Sequence, residues 1–299
     1  MPGDTKRKIE HSQNFICQQK LTDELLNLSN IGPNDLVVEI GPGKGMITRA
    51  LLKRAGHVIA VEQDPKFIAE LSLLDIQDQF QLVVADFLEW QLPKMEYKVF
   101  SNPPFNYTAD IVSKLTSSEV PPTDIFLIMQ EAAAYRYAGI PYERNSQISI
   151  LLSVDFTVEI VRKISRHYFQ PRPNVSIVFV HFAKRSASKI PKRSRQLFRD
   201  FVVYGYNQWA PTVLDAFRNV FSKQQLSIIE RNHSLGGLKP SDLTFDQWSE
   251  LFNIFDKYVS GANRERIHGS ENQLREKHVK LSKLHRTRKP MNKWQTSQI

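Results

Sequence analysis

The stretch Leu36-Val37-Val38-Glu39-Ile40-Gly41-Pro42-Gly43-Lys44-Gly45 decides how the rest of the chain is read. Leu36, Val37, Val38 and Ile40 form a short apolar run that predicts a buried parallel strand. Three glycines at every second position end it. Met46, Ile47, Ala50, Leu51 and Leu52 then recur at the spacing of one helix face. A strand, a glycine turn and a helix is how an open α/β sheet presents a nucleoside-like ligand. The glycines admit the ligand close to the backbone, and the helix N-terminus offers free N–H groups. The spacing here is G-x-G-x-G, not the dinucleotide fingerprint G-x-G-x-x-G. Lys44 is not followed by Ser or Thr and no G-x-x-x-x-G-K frames it, so the stretch does not read as a Walker phosphate loop.

Upstream, His11-Ser12-Gln13-Asn14-Phe15 precedes a helical pattern through Leu21, Leu25, Leu26 and Leu28, and Gly32-Pro33-Asn34-Asp35 turns the chain into the glycine-ended strand. Downstream, strands are predicted at Val58-Ile59-Ala60-Val61, Phe80-Gln81-Leu82-Val83-Val84, Tyr97-Lys98-Val99-Phe100 and 124–129, the last feeding a helix through Ala134 and Tyr137. Two more, near 154–161 and 175–182, flank the loop His167-Tyr168-Phe169-Gln170-Pro171-Arg172-Pro173. Alternating strands and helices of this length predict a parallel sheet with helices on both faces. From Leu197 onward apolar residues recur at helical spacing in two groups, one through Phe198, Phe201, Val202, Phe217 and Phe221, the other through Phe245, Trp248, Leu251, Phe252 and Phe255. This predicts a small all-helical C-terminal domain. The expected division is a ligand-binding catalytic domain at 1–183, a helical domain at 184–259 and a basic, disordered tail at 260–299, where apolar residues are sparse.

The 299 residues are ample for a real core, and a hydrophobic content of 41% is ordinary for a globular protein. No apolar run approaches a membrane span and Met1 to Glu10 is polar, so neither a membrane nor a signal peptide is expected and the cytoplasm is the expected location. The single cysteine, Cys17, excludes an internal disulfide and a Cys-rich metal site. The net charge of +9 is unevenly spread: residues 264–299 hold ten Lys/Arg against three acids, and residues 184–199 hold seven basic residues and no acid. Such blocks suit a polyanion, nucleic acid above all.

The distinctive polar residues fall at predicted strand ends, where doubly wound sheets put their ligand site. Glu62 lies 21 residues beyond Gly41, a spacing that sets a carboxylate beside a ribose; Asp86 ends the next strand and is placed to accept from an adenine amino group. Asn102-Pro103-Pro104-Phe105 is the most specific signal. The amino nitrogen of adenine is a poor nucleophile because its lone pair is delocalised into the ring. The Asn102 side-chain oxygen and the Pro103 carbonyl can take both amino hydrogens, drawing the nitrogen towards tetrahedral geometry with its lone pair aimed at a methyl donor. The prolines fix the backbone so that both acceptors stand ready. Phe105 offers a face on which an extruded base can stack.

With these residues in hand, the chain resembles the rRNA adenine-N6 methyltransferases, most of all the erythromycin-resistance (Erm) branch. The resemblance covers about His11 to Tyr258 and is carried by Ser12-Gln13-Asn14-Phe15, the glycine stretch with Glu39, then Glu62, Asp86, the Asn102 tetrapeptide and Tyr168-Phe169-Gln170-Pro171-Arg172-Pro173-Asn174-Val175. It implies a Rossmann-like methyltransferase sheet and S-adenosylmethionine as cofactor. It further implies that Gln13, Asn14, the backbone of Ile16, Gly41, Gly43, Glu62, Asp86 and Asn102 surround the donor. Asn102 and Pro103 would hold the target amine, with Phe105 and Phe169 sandwiching the base. Arg136 would face RNA, joined by Lys184, Arg185, Lys192 and Arg193 of the basic block. The implied reaction is N6-methylation of an adenine in the peptidyl-transferase loop of 23S rRNA, free or pre-ribosomal, by a monomer, giving macrolide, lincosamide and streptogramin B resistance.

Position 103 departs from the family's pattern, which usually has Ile or Leu between the Asn and the Pro. N-P-P-[YF] keeps the acceptor chemistry but leaves one or two methyl transfers open. Two other readings stand beside the first: a small-subunit rRNA dimethyladenosine transferase, and a non-catalytic RNA-binding or assembly factor on the same fold.

Overall fold

The computed structural model describes residues 14–74 and 78–277. The chain divides into two compact units, Met1–Lys189 and Ile190–Ile299. The boundary falls later than the expected 183/184 because the intervening backbone is tied into the first unit. Lys184 N–H donates to Thr123 O (2.8 Å), Arg185 N–H to Asp155 O (2.7 Å) and Lys189 N–H to Val154 O (3.0 Å).

The first unit runs β1 (Phe15–Ile16), α1 (Gln19–Asn27), β2 (Leu36–Ile40), α2 (Met46–Leu51), β3 (His57–Glu62), α3 (Pro65–Leu71), β4 (Phe80–Val84) and β5 (Lys98–Ser101). It continues with α4 (Thr108–Thr116), β6 (Asp124–Gln130), α5 (Glu131–Ala138), α6 (Gln147–Leu152), β7 (Phe156–Ile164), β8 (Phe169–Gln170) and β9 (Ile177–Lys184). Seven strands form one sheet in the order β4-β3-β2-β5-β6-β9-β7, while β1 and β8 pair antiparallel on their own. The sheet is mixed rather than wholly parallel. β4, β3, β2, β5 and β6 are parallel, but β9 runs antiparallel to both β6 and β7. The reason is the connection: only residues 165–176 join β7 to β9, without the crossover helix that a parallel pair requires.

Side chains on successive strand residues point to opposite faces, so the apolar run of β2 serves two cores. Val38 and Ile40 pack with Ile111, Val112 and Leu115 of α4 and with Ala134 of α5. Val37 packs on the other face with Leu21, Leu25 and Leu26 of α1 and Ile47, Ala50 and Leu51 of α2. The three-layer arrangement follows from that alternation and sets the carboxyl ends of β2 to β6 along one edge.

The second unit contains α7 (Arg195–Tyr206), α8 (Val213–Ala216), α9 (Lys223–His233), α10 (Phe245–Tyr258) and α11 (Ala262–Glu265). Its core is aromatic: Phe201 stacks on Phe217 at 4.4 Å and meets Trp248 edge-on at 87°. Gly205 permits this approach, since a Cβ there would lie 2.6 Å from the Trp248 ring. The tail expected from residue 260 is corrected as far as residue 277. Ile267 is fully buried, and buried Asp200 accepts from the N–H groups of Gly269 (3.1 Å) and Glu271 (2.9 Å). Arg199 closes a two-point ion pair on Glu271. One buried apolar residue and the polar contacts of Asp200 and Arg199 hold this segment, which a window-by-window reading of hydrophobicity passes over. Residues 278–299 lie outside the described part of the chain.

Ile267→Ala is therefore expected to destabilise the helical unit by about 2–5 kcal/mol, as a buried Ile truncation does. Urea denaturation read through tryptophan fluorescence checks it; a loss below about 0.5 kcal/mol, the range of surface substitutions, would contradict the packing described.

Candidate active site

The carboxyl edge of the sheet holds two adjoining cavities. The larger, about 320 Å³, is lined by Glu62, Asp64, Asp86, Leu88 and Tyr107 among others. The smaller, about 40 Å³, is lined by Asn14, Ile16, Glu39, Lys44, Met46 and Asn102. Gly41 and Pro104 border both. Residues from four parts of the sequence thus meet at one edge, as the strand-end reading required.

Glu62 is buried at the end of β3. Its Oε1 accepts from the N–H groups of Gln63 (2.8 Å) and Asp64 (2.9 Å), and its Oε2 from that of Gly43 (3.1 Å). A carboxylate offers about four lone-pair sites, so about one is left for a ligand hydroxyl, on Oε2. Glu62 is first of all the clasp of the glycine loop. Gly43 itself has φ +53°, and a Cβ on it would stand 2.7 Å from the Phe15 ring, so only glycine fits under that ring. Asp86 is exposed in the cleft; its Oδ1 accepts from Leu88 N–H (2.8 Å), which orients the other oxygen outward. Lys114 holds the same loop by donating to the carbonyls of Phe87 (2.7 Å), Leu88 (2.9 Å) and Trp90.

Glu39, 1% exposed, carries an Oε2 with no hydrogen-bond partner. Burial raises its pKa to about 8; the Thr48 hydroxyl opposes this and the nearby Glu62 carboxylate adds to it. Near neutral pH Glu39 is a protonated acid in the wall of the smaller cavity.

Asn102 follows β5. Its Nδ2 donates to Asn14 O at 2.7 Å, and its Oδ1 is buried without a partner. The orientation is not interchangeable, because turning the amide over would press oxygen against the Asn14 carbonyl. The Pro104 carbonyl accepts from Tyr107 N–H (3.0 Å). The Pro103 carbonyl accepts no hydrogen bond among the described residues, so it and Asn102 Oδ1 remain as two ready acceptors.

Other expected residues lie elsewhere. Phe169 is not at the cleft: the β1–β8 ladder, which pairs it with Ile16, buries it to 3% exposure in the core behind the site. Phe105 is half-buried in a short turn (Phe105–Tyr107) and packs on that same core, whereas Tyr107 of the turn lines the larger cavity. Arg136 is exposed on α5, the helix that leaves the carboxyl end of β6. Lys184 and Arg185 are at the opposite edge of the sheet, because β9 runs antiparallel and sets Ala183 beside Asp124 at the start of β6. Lys192 and Arg193 are exposed in a short turn of the second unit, and Gln13 lies outside the described residues. Sequence reasoning missed Tyr107 and the protonated state of Glu39. It also passed over exposed Arg166 and Arg172, which sit with Lys163 around a depression at the carboxyl edge. Two arginines flanking Tyr168 and Phe169 were the available signal.

The donor and acceptor set fits S-adenosylmethionine. Asp86 and the remaining site on Glu62 suit its nucleoside, and the cavity bordered by Gly41, Asn14 and Glu39 suits its amino-acid part. Glu62→Gln keeps size but turns an N–H₂ group onto backbone donors, so it is expected to weaken cofactor binding by about 1.5–3 kcal/mol; calorimetry checks it, and unchanged affinity would remove the clasp. Glu39 links stability to pH. Unfolded, it titrates near 4.5; folded, near 8. Across that window the unfolded chain has lost the proton and the folded one keeps it, so stability falls as pH rises and levels off above about 8. Glu39→Gln is expected to flatten this slope, by at most about 1.4 kcal/mol per pH unit, and to be the more stable form at alkaline pH. Urea denaturation at several pH values decides; parallel profiles would refute it.

Residues 4–257 match the family described as ribosomal RNA adenine dimethylase. An rRNA adenine N-6-methyltransferase of Limosilactobacillus reuteri is 31% identical over 253 residues, covering 84% of this chain and 97% of its own. A ribosomal RNA small subunit methyltransferase A of Natranaerobius thermophilus is 26% identical over 269 residues, covering 81% of this chain and 89% of its own. Among solved structures the fold is similar to that of the 23S rRNA methyltransferase ErmE, with a TM-score of 0.74 at 22% identity over 82% of this chain and 100% of that one. It is also similar to that of a dimethyladenosine transferase from Plasmodium falciparum, with a TM-score of 0.68 at 20% identity over 81% of this chain and 97% of that one. A cleft built for a nucleoside, with two carbonyl-type acceptors waiting beside it, therefore has its explanation in descent: the chain belongs to the ribosomal RNA adenine dimethylase family and is an S-adenosylmethionine-dependent rRNA adenine N6-methyltransferase.

Proposed function

We propose that the substrate is 23S rRNA, that the methylated adenine lies in its peptidyl-transferase loop, and that the modification confers macrolide, lincosamide and streptogramin B resistance on a cytoplasmic host ribosome. The observation that carries the chemistry is the buried, unpartnered Oδ1 of Asn102 beside the free Pro103 carbonyl. S-adenosylmethionine supplies an electrophilic methyl group on a cationic sulfur. Asn102 Oδ1 and Pro103 O accept the two amino hydrogens of the adenine, concentrate the lone pair on nitrogen and aim it. Asn14 holds the Asn102 amide in that orientation through its carbonyl, so no reorganisation is needed at the moment of transfer. Phe105 and Tyr107, from one turn, supply the aromatic surface for the extruded base.

The 23S reading is supported by the resemblance of the Asn14-Phe15 segment to the resistance branch. The small-subunit reading is the second choice, and Pro103 does not separate the two, since the family as a whole usually has Ile or Leu there. The helical unit, with Lys192 and Arg193, grips the RNA backbone, and the enzyme acts as a monomer.

The test is methylation of protein-free 23S and 16S transcripts, with the modified nucleotide located by mass spectrometry. Label confined to 16S rRNA would select the small-subunit reading; cofactor binding without label on either would select the assembly-factor reading. In the same assay Asn102→Ala is expected to lower kcat by about 100-fold, the order of one preorganised hydrogen-bonding group, with a smaller loss of cofactor affinity. Full turnover in that variant would overturn the role given to Asn102.

A further inference from the structure

The methyl-transfer unit and the helical unit differ sharply in charge. Residues 1–189 carry 21 Lys/Arg against 21 Asp/Glu, while residues 190–299 carry 19 against 10, so the whole net charge of +9 belongs to the second unit. Among the described residues of that unit, one large aromatic side chain has no structural explanation. Trp209, in the connection from α7 to α8, is 100% exposed. Its φ is +51°, in the left-handed region that a bulky L-residue rarely adopts and glycine takes freely. Both ends of the connection are fastened. Asn207 Nδ2 donates to Val203 O (2.7 Å) and Gln208 Nε2 to Tyr204 O (3.2 Å), folding these side chains back onto α7. Thr212 Oγ1 accepts from Asp215 N–H (3.1 Å), and Val213 N–H donates to Leu238 O (2.8 Å). The indole between them projects alone.

The contrast with Trp248 is instructive. That ring is fully buried and its Nε1 donates to Pro240 O (3.2 Å), the usual fate of a tryptophan in a folded domain. Trp209 stabilises nothing in the protein, yet the backbone is held in an unfavourable conformation to present it. Persistent strain of this kind marks places where the presented group meets a ligand.

We propose that Trp209 is a stacking platform for an unpaired base of the rRNA substrate. An exposed aromatic plane on a unit that carries all the net positive charge is the combination by which single-stranded nucleic acid is held: cations track the phosphates, and the ring takes a base without regard to its identity. The inference rests on the rRNA-substrate reading and adds to it a contact outside the methyl-transfer unit.

The test uses the full chain and a protein-free rRNA fragment that the wild-type enzyme methylates, with affinity measured by filter binding across a salt series. Trp209→Ala and Trp209→Gly are expected to bind RNA about 5- to 150-fold more weakly, the range that base stacking spans, while Trp209→Phe keeps most of the affinity. Glycine takes the same φ without strain, so a loss in that variant belongs to the missing ring and not to the loop. The dependence of log K on log salt should be the same for all four proteins, because a stacked ring neutralises no phosphate. Cofactor affinity should be unchanged. Wild-type affinity in both the Ala and Gly variants would overturn the proposal while leaving the substrate reading intact. A changed salt slope would overturn it too, by making the effect electrostatic. Normal binding to bare rRNA with weaker binding to pre-ribosomal particles would assign the ring to a protein surface instead. Failure of the wild-type chain to bind rRNA at all would overturn the substrate reading and this inference with it.

Discussion

The hydrogen bond from Gly43 N–H to Glu62 Oε2 is the constraint on which the site depends. It fastens the loop after β2 to the end of β3, and the same carboxylate fixes the turn into α3 through Gln63 and Asp64. With the loop held there, Phe15 closes over Gly43 and its ring meets Phe67 of α3 edge-on at 5.5 Å. The clasp also has an electrostatic consequence. Burial is the main reason that Glu39, two residues before Gly41, is held neutral, and the nearby Glu62 adds to it. Two acids from adjacent strands therefore take different roles: one is the anionic anchor of the loop, the other a neutral polar wall.

Asn102 is fixed by a second chain of dependence. Its amide is oriented by the Asn14 carbonyl, and Asn14 is fixed because β1 follows it at once. β1 in turn is held by β8, with Phe15 opposite Gln170 and Ile16 opposite Phe169. Cys17 N–H adds a bond to Tyr168 O at 2.9 Å. The segment between β7 and β9 thus bears on the orientation of Asn102 through β1. By pairing with β1 it sets the acceptor that sets Asn102. Phe169 contributes by being buried in that joint, which is why its ring is not at the cleft.

How much of this was legible in the sequence divides along a physical line. The glycine turn, the strand-end acids and the Asn102 tetrapeptide were legible because each is a local pattern whose chemistry travels with a few neighbouring residues. The direction of β9 was not, since a strand's own side chains do not declare its partner's direction; the short 165–176 connection did hold that information. Phe169 reads the same whether it stacks on a base or on Ile16. The protonation of Glu39 depends first on its burial and then on the charge of Glu62, neither of which a strand pattern reports. Ile267 is one apolar residue in a polar stretch, and only its contact with the core of the helical unit makes it structural.

The charge division between the units follows from the chemistry of the cleft. Binding a nucleoside through its hydroxyls and amino group calls for acceptors, and Glu62 and Asp86 line the cleft with acidic side chains that suit the task. Those same charges repel a phosphate backbone, so a site suited to the cofactor is poorly suited to hold the polymer that carries the substrate base. The first unit resolves this by having no net charge, with exposed Arg136, Arg166 and Arg172 on segments that leave the sheet. The net positive charge belongs to the second unit, with 19 basic residues against 10 acidic ones, as long-range attraction of a polyanion would require. Phosphate contacts position a nucleic acid and base contacts select within it. With the roles proposed above, the acceptors of Asn102 and Pro103 would make the selection and would not also have to overcome the repulsion that the acids of the cleft create.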